Sequence, residues 1–274
     1  MKTFFTRTST AVVFVAIMLG GLLSNYPLFP FLMTLILLGS LSEYFKITAP
    51  KRERNEFNSS FIALLFFAYF LSYYFAFTGK DTVGLNVIVP AAALCIFVPA
   101  LFSRSDNPFA DVGWNIIPVF WILVPLILAS KIYLQRGGLF LLAIFGLIWI
   151  FDSGSYIFGS LIGRHKLFER VSPKKTWEGL IGGVVITLVV AFFAEKIPTL
   201  AQLTKIWWLI LAGVIVIAST FGDLIESLLK RSLGIKDSGR IMPGHGGFLD
   251  RFDAFYFSVP FVALALWLME FMGS

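Results

Sequence analysis

The sequence predicts an all-α polytopic membrane protein of about nine transmembrane helices, with its N-terminus in the cytoplasm. Three observations lead there. Of 274 residues, 58% are hydrophobic and only 14% charged, where a soluble domain carries about 25%. So little charge cannot cover a water-facing surface. Charge-free runs of bilayer length recur along the whole chain, and a spanning helix needs about 20 apolar residues. Lysine and arginine then fall unequally on the two sides that those runs define.

The runs are taken in chain order. Thr8 to Ser42 carries no charge and is broken at Asn25-Tyr26-Pro27, which divides it into two spans. Lys2 and Arg7 before the apolar run Ala11 to Leu23 give the start a signal-peptide look. No small-residue cleavage site follows, so it reads as a retained first span. Further uncharged runs are Phe57 to Gly79, Thr82 to Ser103 and Val112 to Ser130. Gly137 to Gly163 holds one charge, Asp152. Gly179 to Ala194, Ile206 to Gly222 and Ala254 to Met269 complete the set. The last three are short for a bilayer, so their helix ends should carry polar groups into the interface or the protein interior.

With nine spans and a cytoplasmic N-terminus, 17 of the 22 basic residues lie on the cytoplasmic side: Lys2, Arg7, Lys46, Lys51, Arg52, Arg54, Arg104, Arg164, Lys166, Arg170, Lys174, Lys175, Lys230, Arg231, Lys236, Arg240 and Arg251. The far side holds Lys80, Lys131, Arg136, Lys196 and Lys205. This is the positive-inside pattern, and removing one middle span would scramble it. The net charge of +6 is therefore concentrated on one face. Topology and anionic lipid heads suit the 46–54 loop, but explain less well the loops after spans six and eight, where basic residues alternate with Gly, Ser, Asp and His; no nucleic-acid partner is expected.

Some chemistries are excluded. The lone Cys95, in an apolar run, allows no internal disulfide. Two histidines, His165 and His245, make no zinc site. No GxxxxGK[ST] sequence occurs, so the chain is not a P-loop ATPase.

The two halves differ. Residues 1–130 place almost no polar group inside a span, whereas 150–253 hold nearly all of them. No internal repeat is present. The chain reads as one membrane domain over 1–274, with helices of 1–130 as scaffold and dimer face and 131–274 as the catalytic part. Asp152 sits in an apolar stretch, where an ionisable residue is costly and is either functional or paired. Gly154, Gly159 and Gly163 permit close helix packing or close approach to a ligand. The loop Ser172-Pro173-Lys174-Lys175-Thr176-Trp177-Glu178-Gly179 sets cations just ahead of a helix, which suits a phosphate. It equally suits a solvated loop with Thr176 as helix cap. If span eight continues as a helix, Asp223, Ser227 and Lys230 share a face at i, i+4 and i+7, with Glu226 beside them. Gly244, Gly246 and Gly247 let backbone amides approach an anion. Asp250 and Asp253 stand at i, i+3 where span nine begins, a placement that helix capping alone would also favour. Oxygen donors without histidine or cysteine clusters favour Mg²⁺. Carboxylates beside several cations suit phosphoryl-type transfer, in which positioning and charge neutralisation dominate.

The stretch Ser227-x-Leu229-Lys230-Arg231-x₄-Lys236-Asp237-x-Gly239-x₂-Met242-Pro243-x-His245-Gly246-Gly247-Phe248-x-Asp250-Arg251-Phe252-Asp253 resembles the signature of the phosphatidate cytidylyltransferase (CDP-diacylglycerol synthase) family. Met242 departs mildly from it, standing where a branched aliphatic or aromatic residue is expected. Asp152-Ser153-Gly154 through Ser172 to Gly179, and Gly222-Asp223-Leu224-Ile225-Glu226-Ser227, resemble further family blocks. Residues 1–130 match in hydropathy alone.

The resemblance implies that CTP and phosphatidate give CDP-diacylglycerol and pyrophosphate. It implies Mg²⁺, with K⁺ as a helper, a homodimer, and a multi-pass protein of the inner (plasma) membrane. On this reading the active site lies at the cytoplasmic ends of the C-terminal helices. Asp223 and Asp250 hold Mg²⁺. The catalytic set is Asp223, Lys230, Arg231, Lys236, Asp237, His245, Asp250 and Asp253. Asp152, Lys175, Thr176, Glu178, Ser227, Arg240, Gly246, Gly247 and Arg251 bind substrate. Such a site calls for a polar cavity reachable from the cytoplasm and from lipid. Transfer to another lipid phosphate, an organic-anion transporter and a non-catalytic scaffold are the competing readings.

Overall fold

The computed structural model describes residues 2–24, 28–49, 58–80, 82–103, 105–239 and 246–273, with 2–11 described as backbone. The predicted break at Asn25-Tyr26-Pro27, the basic residues Lys51, Arg52, Arg54 and Arg104, and the signature residues Arg240, Met242, Pro243, Gly244 and His245 lie outside them. Two compact units are present. One comprises Met1–Gln135 and Leu233–Phe252, the other Arg136–Ser232 and Asp253–Ser274.

In the first unit, α1 runs Lys2–Leu23, α2 Leu28–Thr48 and α3 Asn58–Phe77. A π-helical turn, Gly84–Ile88, leads into α4, Val89–Cys95, and a 3₁₀ turn, Val98–Phe102, follows. Next come α5 (Pro108–Pro118), a π-turn (Val119–Leu123) and α6 (Val124–Arg136). The helix changes type after Pro118 for a reason visible in the chain. Proline has no N–H to return to the carbonyl four residues back, that of Trp114. The Tyr44 hydroxyl donates to that carbonyl instead, at 2.9 Å. Other buried hydroxyls also tie helices: Tyr69 and Ser130 are 3.0 Å apart, and the Tyr133 hydroxyl donates to the Ser24 carbonyl at 2.6 Å. On α3 the buried residues Phe61, Leu65, Ala68, Tyr69 and Ser72 form one stripe, while Phe67, Phe70, Tyr74 and Phe77 are exposed. That outward apolar face suits lipid.

In the second unit, α7 runs Gly138–Ile162, then β1 Lys166–Phe168, β2 Ser172–Thr176, α8 Trp177–Ala194, α9 Lys205–Ser232 and α10 from Leu249 to Phe271. The boundary between the units falls inside α10, after Phe252. Helices α7 and α8 meet backbone to backbone. A Cβ on Gly154 would lie 3.2 Å from Gly183 Cα, and one on Gly179 would lie 2.6 Å from the Ser155 carbonyl oxygen. The spacing of Ser155 and Gly159 on α7 and of Gly179 and Gly183 on α8 is the small-xxx-small pattern of membrane helix pairs. The crossing of α9 and α10 is similar: a Cβ on Gly222 would sit 2.9 Å from the Asp253 carbonyl oxygen, and Ser219 and Ser258 are 3.0 Å apart. Arg136 and Glu270 pair at 2.6 Å.

Among the described residues, eight helical stretches are long and apolar enough to cross a membrane, and Val12–Leu23 is a shorter apolar helix. Together they correspond to the nine predicted spans. The two predicted spans that looked short near the signature belong to longer helices, of 28 residues for α9 and 23 for α10. Their extra turns carry the polar residues. The antiparallel pair β1–β2, with Lys166 opposite Thr176 and Phe168 opposite Ser172, replaces what the sequence read as a loop.

The α7–α8 contact yields a stability prediction. A Cβ on Gly183 would meet the Phe151 carbonyl at 2.9 Å, whereas one on Gly213 would meet nothing within 4 Å. Gly183→Ala should cost about 1–3 kcal/mol by overpacking, lowering the thermal midpoint in detergent. Gly213→Ala should be neutral or stabilising by up to about 1 kcal/mol.

Candidate active site

The second unit contains a cavity of about 550 Å³. Helix α7 gives it Asp152, Ser155, Tyr156 and Ser160; β1 gives Lys166 and Leu167; β2 gives Lys174, Lys175 and Thr176. Leu180 of α8 and Thr220 and Asp223 of α9 close it. The predicted residues Asp152, Lys175, Thr176 and Asp223 are thus brought together from positions 71 apart in sequence at most. Lys174, which with Lys175 forms the cationic pair ahead of α8, also lines the wall, as does Lys166, for which the sequence suggests no substrate role. Lys166 comes beside the Thr176 cap only through the β1–β2 pairing, which the sequence does not reveal.

Charges alternate around this space. The Lys175 ammonium pairs with the Asp223 carboxylate, and both side chains keep about a quarter of their surface exposed, 29% and 23%. One turn along α9, Lys230 pairs with Glu226 at 2.5 Å, and Glu226 is buried. The spacing of Glu226 and Lys230 predicts such an i, i+4 contact on a continuous helix. Asp253 is half-buried and interacts electrostatically with Asp223, Glu226 and Asp152. Its Oδ1 accepts the N–H of Ala254 at 2.8 Å. Four carboxylates and two paired lysines therefore gather around the crossing of α9 and α10. Ser227 is half-buried and Arg231 exposed on the same helix.

Thr176 and Glu178 are engaged in local structure. Thr176 Oγ1 accepts the Gly179 N–H at 3.2 Å and caps α8. The Glu178 carboxylate accepts the backbone N–H groups of Arg164 (3.0 Å) and His165 (3.2 Å), and lies 2.6 Å from His165 Nδ1. It fastens the start of the β-ribbon to the first turn of α8.

In the first unit, the segment from Leu233 into α10 carries the rest of the signature. Asp250 Oδ2 accepts the N–H groups of Ser238 and Gly247, each at 2.9 Å. Gly246 has φ +82°, and a Cβ there would stand 2.6 Å from the same oxygen, so glycine is required. Lys236, Asp237 and Arg251 are exposed. One residue here was missed by the sequence reading: Glu43 of α2, only 4% exposed. Its Oε2 accepts the Ser238 hydroxyl at 3.1 Å and the Leu249 N–H at 3.0 Å. Glu43 directly follows the uncharged run Thr8 to Ser42, so charge counting alone puts it outside the span.

Among the described residues, no three histidine, cysteine, aspartate or glutamate side chains are arranged to enclose a metal ion. The oxygen-only donor set around Asp223 fits a different mode. Mg²⁺ usually takes one or two carboxylates and completes its shell with water and substrate phosphates.

These features define a cavity lined by cationic and acidic side chains among helices long and apolar enough to cross a membrane. The chain belongs to the cytidylyltransferase family, whose model matches residues 5–269. It is 30% identical over 267 residues to a phosphatidate cytidylyltransferase of Bacillus subtilis, covering 97% of each chain. Proteins of the same name from Staphylococcus epidermidis and Staphylococcus haemolyticus are 35% and 40% identical. Those matches cover 64% of this chain and 67% of the first relative, and 61% and 63% for the second.

Removing the Glu178 carboxylate should release the ribbon. In Glu178→Ala, the amides of Arg164 and His165 should exchange hydrogen faster, while amides in the middle of α8 should not change. Mass-spectrometric hydrogen exchange in detergent measures both.

Proposed function

We propose that this chain is a phosphatidate cytidylyltransferase that transfers CMP from CTP to phosphatidate, giving CDP-diacylglycerol and pyrophosphate. Beyond family membership, the supporting observation is the cavity in the second unit. Lys166, Lys174 and Lys175 face Asp152 and Asp223 there, beside apolar Phe151, Leu167 and Leu180. Cations for phosphate and an apolar wall for acyl chain occur in one space.

The chemistry asks for no nucleophile from the protein. A phosphate oxygen of phosphatidate, a monoester already largely ionised near neutral pH, attacks the α-phosphorus of CTP. The bond from that phosphorus to the oxygen bridging to the β-phosphate breaks, and pyrophosphate leaves with the electron pair. The protein's part is to bring two polyanions together and neutralise them. On this reading Lys175 turns from Asp223 to the phosphates, and Lys166 and Lys174 neutralise the incoming anions. Mg²⁺ would supply further neutralisation of the triphosphate. Asp223 is our candidate ligand on α9 and Asp250 our candidate in the signature. K⁺ as a second cation, a homodimer, a plasma-membrane location and a cytoplasmic N-terminus belong to the same proposal; the first three rest on the family resemblance and the last on the distribution of basic residues. The organic-anion transporter has no support, because the curated relatives are named as transferases.

The test follows α-labelled CTP into the lipid phase of mixed micelles containing phosphatidate and Mg²⁺. Wild-type protein should transfer label only when both are present. Asp223→Asn should lower turnover by about 10²–10³-fold, the scale of losing one charge-stabilising group. Asp250→Asn keeps an oxygen for Ser238 and Gly247, so its loss of activity would report charge rather than a broken turn. Label that stays aqueous with folded wild-type protein overturns the assignment, and full activity in both variants overturns the metal ligands.

A further inference from the structure

We propose that Glu43, a residue of α2 outside every signature block, is a positioning residue that sets the geometry of the signature segment; this rests on the reading of that segment as part of a cytidylyltransferase site. A carboxylate buried to 4% exposure inside a membrane helix is expensive to keep. Its contacts say what it does. Oε2 takes two donors that are far apart in the segment, the Ser238 hydroxyl and the Leu249 N–H. Asp250 grips the same turn from its own side through the Ser238 and Gly247 N–H groups. Ser238 is thus held twice, through its hydroxyl by Glu43 and through its backbone by Asp250.

The fit leaves little freedom. A Cβ on Gly239 would clash with the Glu43 carboxyl carbon at 2.7 Å and would lie 3.2 Å from Gly247 Cα. A Cβ on Gly247 would also run into the Glu43 carboxylate. Gly39, one turn earlier on α2, has the ring of Phe248 against it, with a would-be Cβ 2.6 Å from Cδ2. Two of the signature glycines are therefore small because a carboxylate from α2 occupies the space their side chains would need. Glu43 and Asp250 together tie Ser238 and Gly247 to the first turn of α10. Groups that hold a site residue in place typically change activity about 10–100-fold when lost.

Both acceptor contacts use one oxygen, which makes the test clean. Glu43→Gln can present its amide oxygen to Ser238 and Leu249, whereas Glu43→Ala cannot. Hydrogen exchange of the Ser238, Gly247 and Leu249 amides should quicken in Glu43→Ala and return toward wild type in Glu43→Gln. In the labelled-CTP assay, kcat/KM for CTP should fall about 10–100-fold in Glu43→Ala, with KM for phosphatidate unchanged, and recover in Glu43→Gln. Ser238→Ala, which removes one donor and no charge, should show a smaller loss of the same kind. Unchanged exchange and turnover in Glu43→Ala would overturn the proposal, as would equal damage in Glu43→Gln. If wild-type protein transfers no label, the cytidylyltransferase reading falls, and the exchange data alone then decide whether Glu43 positions the segment.

Discussion

The second unit depends on how closely two backbones can approach. Lipid tails are as apolar as leucine, so burying apolar side chains gives membrane helices little reason to associate. Contact and shape must do it. Gly154, Gly179 and Gly183 remove the side chains that would hold α7 and α8 apart. The ribbon β1–β2 that joins these helices is consequently short and tightly folded. It ends in Thr176, which caps α8, and Lys175 is the residue immediately before that cap. The position of the lysine opposite Asp223 thus follows from helix packing that begins one turn away, at Gly179.

The cost of this arrangement is electrostatic. Asp152, Asp223, Glu226 and Asp253 gather on three helices. Like charges in a region of low polarity repel unless cations intervene. Lys175 and Lys230 provide two, one from the ribbon and one from the next turn of α9. Asp223 is more exposed than Glu226, and a pair nearer to solvent is held more weakly. The Glu226–Lys230 pair is more deeply set, with Glu226 buried. Separating it would strand a charge, which is far more costly. The two pairs therefore differ in burial, and the less buried one, between ribbon and α9, lines the cavity.

Much of this was legible in the sequence. Composition and the recurrence of charge-free runs suffice for the helices, because a span must be apolar along its length whatever it packs against. The shared face of Asp223, Ser227 and Lys230 follows from helical periodicity alone. The β-ribbon did not, since Lys166 to Thr176 is polar and has no strand alternation to set it apart from a loop. The π-turn after Pro118 was also hidden. A proline shows where a hydrogen bond is lost, but not that Tyr44, 70 residues away in sequence, replaces it.

Glu43 is the clearest case of what a motif conceals. A conspicuous run of glycines and charges draws attention to itself, and its glycines read as room for a ligand. Gly239 and Gly247 are small at least in part for another reason: a carboxylate from α2 fills the space beside them. A short signature therefore does not define its own shape. Its described ends lie against a helix that carries no motif, where a single buried acid contacts Ser238, Gly239, Gly247 and Leu249.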